Sequence, residues 1–167
     1  MSFDIFLIAS SASPMPTQAS EAVRRALASV GGRETEPPGV FVARDGADVE
    51  FYCGDGGPGG MFATHGLPLS IVELIVAVAE AQKCFILPVA EGMQAYRTPG
   101  NDGDPPSTQA DGFPPIVAIA TPRALLDEIN AGFEAWSDYR DQVVNPADTR
   151  PPSLLGRLFG GLFGKAN

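Results

Sequence analysis

Cys53, His65 and Cys84 would give two sulfurs and a nitrogen if the strands carrying them are neighbours. That set suits a zinc ion or a Cys–His nucleophile, and His65 alone could act as an acid or base. Nothing in their spacing demands such a site, and small buried thiols with a strand histidine account for them as well. Asn101, Asp102 and Asp104 offer oxygen ligands around Gly103, but the closing glutamate of a calcium loop is missing. Asp48 and Glu50 lie two residues apart, on one side of a strand, where paired carboxylates or a solvated face are both consistent.

The stretch YCGDGGPGGMF, from Tyr52 to Phe62, asks whether glycines cradle a phosphate. A phosphate loop of the G-x-x-x-x-G-K-[ST] type needs a lysine, a hydroxyl and a following helix, and Met61 and Phe62 stand at those places. Gly54, Gly56 and Gly59 match a G-x-G-x-x-G spacing, yet no helix opens there and Asp55 would repel a pyrophosphate. The loop therefore reads as a connection between strands. No catalytic set and no cofactor is expected.

The elements that position these residues follow from periodicity. Phe3 to Ala9 is a nearly continuous apolar run that suits a central strand covered on both faces. Thr17 is placed to cap a helix with Ala19, Val23, Ala26 and Leu27 on its inner face and Glu21, Arg24 and Arg25 in solvent. Asp45-Gly46 reads as a two-residue hairpin turn, pairing Val42 with Val49 and Val40 with Phe51. That register puts Phe41, Ala43, Asp48, Glu50 and Tyr52 on the other side. Residues 61–65 (MFATH) read as a short strand.

Ser70 with Glu73 reads as a capping box opening a buried helix from Ile71 to Lys83. FILPVA follows as a strand that Pro88 confines to an edge or an end. Residues 91–115 are rich in Gly, Pro and Asp without periodicity and read as a long loop. IVAIA reads as a buried strand, and Thr121-Pro122 opens a helix with Leu125, Ile129, Phe133 and Trp136 on one face. The sum is a single α+β domain over residues 1–148, with about five to six strands in a mixed or mostly antiparallel sheet and three helices packed on it.

Residues 149–167 form an amphipathic tail. Leu155, Leu158, Phe159, Leu162 and Phe163 make an apolar stripe, while Gly156, Gly160 and Gly164 make a free helix unfavourable by about 1 kcal/mol each. Its order must come from docking, on its own domain, a partner or second copy, or a membrane surface.

A net charge of −9 disfavours unassisted binding to nucleic acid or anionic lipid, both of which need clustered Lys and Arg. It favours a basic protein partner. Two widely separated cysteines and no basic region before the first apolar run point to a reducing cytoplasm.

The opening MSFDIFL, the segment DGADVEFY with its following GGMF, and FILPV resemble a group of small bacterial proteins that begin MSFDIF or MSYDIF. The likeness covers approximately residues 1 to 130, excluding the 91–115 loop and the tail. Some small acidic proteins of similar build are immunity partners of toxins, so the resemblance implies an immunity or adaptor role without implying catalytic residues.

The leading expectation is a non-enzymatic, cytoplasmic protein-binding domain covering a basic partner. Asp48, Glu50, Tyr52, Asp55, Tyr96 and Arg97, with the tail residues Leu155, Leu158, Phe159, Leu162 and Phe163, are the expected contacts. The alternative is a small-molecule binder or enzyme using a pocket near His65 and the 91–115 loop. Membrane association and homodimerisation through the tail complete the set.

Overall fold

The computed structural model describes residues 3–36, 38–53, 57–89, 94–106 and 112–132. In chain order the elements are β1 (Phe3–Ala9), α1 (Pro16–Ser29), β2 (Arg33–Thr35), β3 (Val40–Val42), β4 (Asp48–Tyr52) and β5 (Gly60–Thr64). There follow α2 (Leu69–Gln82), β6 (Cys84–Pro88), β7 (Ala95–Arg97), β8 (Ile116–Ala118) and a helical run, α3, over 122–132. The strands form one sheet of 8, in the order β2-β3-β4-β5-β1-β6-β7-β8. Neighbours are antiparallel except β7 and β8, which run parallel, so the fold is α+β with a mixed sheet. The sheet is wider than the expected five or six strands because of β2 and β7. Both are three-residue strands too short to show a period, and β7 lies inside the segment expected to be loop.

Ile5 and Leu7 of β1 point to the helices, with Phe41, Val49, Phe51, Phe62, Cys84 and Ile86 beside them in the sheet. Val23, Ala26 and Leu27 of α1, most of α2, and Leu125, Leu126 and Ile129 of α3 join the same core. Phe41, Phe51 and Phe62 cluster with ring centroids 4.5 to 6.2 Å apart, within the range where aromatic pairs add to area burial. The other face of β1 is not covered in the same way. Phe6 remains 36% exposed, against the expectation that this apolar run would be buried on both sides.

The β3–β4 hairpin corrects the expected register by one residue. Gly46 N–H donates to Ala43 O at 3.0 Å and Ala43 N–H to Ala47 O at 2.8 Å, which closes a three-residue loop over 44–46. Gly46 has φ +89, the left-handed position such a loop assigns to glycine. Phe41 therefore pairs with Val49 and Val42 with Asp48. A one-residue slip exchanges the faces of a strand, so Phe41 and Ala43 enter the core, while Val40 and Val42 turn outward.

Two caps also differ from expectation. α1 starts at Pro16 with Met15 at the N-cap, so Thr17 lies inside the helix. α2 starts at Leu69 after Pro68, with no side-chain cap. Ser70 and Glu73 instead reach sideways to the hairpin: Ser70 Oγ donates to Asp45 Oδ2 at 2.7 Å, and Glu73 pairs with Arg44 at 3.0 Å. Thr121 caps α3 as expected, its Oγ1 accepting from Ala124 N–H at 3.1 Å. Pro88 sits at the last position of β6, and β8, expected to be buried, is instead the edge strand, with Ile116 exposed. Phe133 and Trp136 lie outside the described residues.

Candidate functional site

On the side of the sheet away from the core, strand register lines residues up across the strands. Tyr52 pairs with Met61, Met61 with Phe6, and Phe6 with Leu87, giving an apolar row across β4, β5, β1 and β6. At about 4.8 Å between strands, this row spans roughly 14 Å. Beside it runs a second row in which Val40 pairs with Glu50, Glu50 with Ala63, and Ala63 with Asp4. Asp48 extends the acidic side opposite Val42. Asp4, Phe6, Asp48, Glu50 and Tyr52 are all exposed. The Tyr52 hydroxyl donates to the Glu50 carboxylate, and that bond with the negative charge behind it raises the phenol's pKa.

Tyr52, Glu50 and Asp48 are thus together on one surface, as their alternation along β4 requires. Arg97 is on the same face, farther along the sheet, with its guanidinium 5.3 Å from the centre of the Phe85 ring. Phe113 meets the same ring edge-on at 5.4 Å, so the segment over 112–115 covers this face at β6. Tyr96 belongs elsewhere. It is 2% exposed, pairs with Ile86 in β7 and faces the helices, where burial raises its pKa. An expected surface contact is therefore a core residue, because the three-residue strand that turns it inward is too short to show a period in the sequence. Asp55, Leu155, Leu158, Phe159, Leu162 and Phe163 lie outside the described residues.

The glycines of the loop before β5 serve close packing. A Cβ on Gly59 (φ +96) would lie 2.7 Å from Leu7 O, and one on Gly60 would lie 2.6 Å from Tyr52 O. Gly59 N–H donates to Oε1 of the buried Gln82 at 3.1 Å, which ties the loop to the end of α2. The element that follows is a strand, so the loop does not open a helix as a phosphate loop does.

Cys53 is exposed after β4, His65 is exposed after β5, and Cys84 is fully buried at the start of β6. Burial pushes the Cys84 thiol up to about 11, which keeps it protonated and unreactive at neutral pH. Among the described residues no three His, Cys, Asp or Glu side chains gather to hold a metal. The oxygen-rich loop is engaged in the fold: Asn101 Oδ1 accepts from Gly103 N–H, Asp102 pairs with Lys83, and Asp104 exchanges two hydrogen bonds with Ser11.

A cavity of about 520 Å³ lies on the helix side, between the first half of α1 and the hairpin. Phe41 and Phe51 of the sheet, Ala19 and Val23 of α1, Gln82 of α2 and Tyr52 at the end of β4 line it. Ser20, Arg24, Glu34 and Cys53 also line it, and Gly57 of the glycine loop borders it. His65 and the described part of 91–115 are not in its wall, so the cavity is at a different place from the pocket expected by sequence. No helix among the described residues is long and apolar enough to cross a membrane. Compared with family models, curated proteins and solved structures, the chain matches none.

Proposed function

We propose that the protein is a non-enzymatic binding domain that presents the outer face of its sheet to a basic protein partner, in the manner of an immunity or adaptor protein. The observation that carries this reading is the paired rows: Tyr52, Met61, Phe6 and Leu87 beside Glu50 and Asp4. Aromatic and large apolar side chains provide most of the energy of an interface, while flanking charges set orientation and partner choice. A partner segment with apolar anchors and Lys or Arg beside them fits both rows. A second copy stacked face to face would set Asp4, Asp48 and Glu50 against like charges, so self-association through this face is disfavoured.

The test is capture from lysate of the source cell with immobilised wild type and an Asp48→Lys/Glu50→Lys variant, with bound proteins identified by mass spectrometry. Both residues are exposed, so the fold is expected to persist, and circular dichroism checks it. A stoichiometric basic protein held by wild type, released by salt and absent from the variant supports the reading. Equal capture by both proteins overturns it.

A further inference from the structure

The cavity under α1 lies on the helix side of the sheet, with Tyr52 at its border as the residue it shares with the outer face. Its volume of about 520 Å³ falls within the roughly 300–1,000 Å³ of small-molecule sites. Helix α1 places the small side chains of Ala19 and Val23 over two phenyl rings whose centroids are 5.2 Å apart. Among the described residues the polar part of the wall holds one cation, Arg24, and one anion, Glu34. Arg24 reaches only Glu21, at 3.9 Å, among the described residues, and Glu34 uses Oε1 to accept Gly39 N–H at 2.9 Å, leaving Oε2.

We infer that this cavity binds a small zwitterion with an apolar body, of the size of an apolar amino acid or dipeptide. The carboxylate goes to Arg24, the ammonium to Glu34, and the side chain onto Phe41 and Phe51. A purely anionic ligand would meet Glu34 and a purely cationic one Arg24, so the wall's charges select for a molecule carrying both signs. Arginine suits a carboxylate because its planar fork donates two parallel bonds. Phe41 and Phe51 are 2% and 6% exposed, so each presents only a small part of its ring to the ligand, and Pro38 and Gly39 complete that part of the wall.

The test uses L-phenylalanine and L-leucyl-L-phenylalanine as probes by calorimetry, with 3-phenylpropionate lacking the ammonium and 2-phenylethylamine lacking the carboxylate. At least one zwitterion is expected to bind saturably, with each truncated analogue weaker by about tenfold to a hundredfold. Arg24→Gln should cost the zwitterion what loss of its carboxylate costs, and Glu34→Gln what loss of its ammonium costs. Both residues are exposed, and Gln at 34 keeps an oxygen for Gly39. Ser20→Trp, also at an exposed wall position, should block entry.

Cys53 provides a local readout, since it is exposed in the cavity wall while Cys84 is buried. Bound probe should slow alkylation of Cys53 in wild type and leave it unchanged in Ser20→Trp. Absence of saturable binding of both zwitterions at millimolar concentration overturns the inference, as does equal binding of either truncated analogue or binding that leaves Cys53 unprotected. None of these outcomes depends on the protein partner.

Discussion

The two faces of the sheet are built from the same strands and do different work. Along β4, Val49 and Phe51 turn to the helices at 1% and 6% exposure, while Tyr52 turns outward at 52%. The inner face collects Phe41, Phe51 and Phe62 into contact with one another and with α2. The outer face holds Phe6 and Tyr52 in a row that carboxylates border. Aromatic content alone does not separate core from exposed face; strand register does. Losing an inner ring should therefore cost stability, and losing an outer one should cost binding.

The largest expected contrast is between Phe62→Ala and Phe6→Ala. Phe62 is fully buried between two other rings, so its truncation should destabilise by about 3–5 kcal/mol through lost transfer energy and an unfilled cavity. Phe6 is partly exposed on one face, and its truncation should cost about 1 kcal/mol or less. Urea unfolding of both variants measures the difference. Similar losses would mean that the outer row is also packed as core.

Next in size is Gly59→Ala, where a left-handed φ and a backbone oxygen 2.7 Å from the new Cβ combine. The expected loss is about 1–3 kcal/mol from strain at this position. Gly57→Ala, in the same loop, has nothing within 4 Å of the added atom and should be near neutral. If the two substitutions cost the same, close approach of β1 is not what makes Gly59 necessary.

The inner face is legible in part: the apolar stripe of α1 and the near-uniform apolarity of α2 announce burial, whereas the continuous run of β1 does not separate Ile5 and Leu7 from the part-exposed Phe6, and only the register turns Phe41 inward. The hairpin was legible as a hairpin but not in its register. Asp45-Gly46 serves a two-residue or a three-residue loop, and only contact with the rest of the core decides between them. Here placing Phe41 against Phe51, and the ties from Asp45 and Arg44 to α2, go with the longer loop. Asp48, Glu50 and Tyr52 share a face in either register, so that part of the candidate surface could be read in advance. Its apolar row could not, since Met61, Phe6 and Leu87 become neighbours only through strand order. The burial of Tyr96 is not legible because three residues, Ala95–Arg97, are too few to show a strand period inside a Gly/Pro-rich segment. The cavity depends on how far α1 stands from Phe41 and Phe51, a distance no local pattern encodes.

A sharper test of the outer face removes its apolar anchors together. Phe6→Ser/Tyr52→Ser should change unfolding free energy by about 1 kcal/mol or less, while abolishing capture of the partner. Charge reversal at Asp48 and Glu50 should instead weaken capture chiefly by slowing association at low salt, since flanking charges act on encounter. Surface plasmon resonance with the captured partner separates the two effects.

The smallest expected effect concerns Asp45, whose carboxylate accepts from Ser70 Oγ and from Ala47 N–H. These bonds, the Ser70 hydroxyl first, hold its pKa below the ordinary aspartate value. The unfolded chain, with a pKa of roughly 3.9, takes up a proton before the folded one does. Stability from this contact is therefore complete above that value and declines as pH falls through the lowered folded pKa. Ser70→Ala should raise the Asp45 titration midpoint, seen by carboxyl carbon NMR. It should be slightly less stable than wild type at neutral pH, with the difference shrinking in acid as Asp45 becomes neutral in both proteins. A difference that stayed constant across that range would assign the contribution of Ser70 to packing against the hairpin rather than to the charged acceptor.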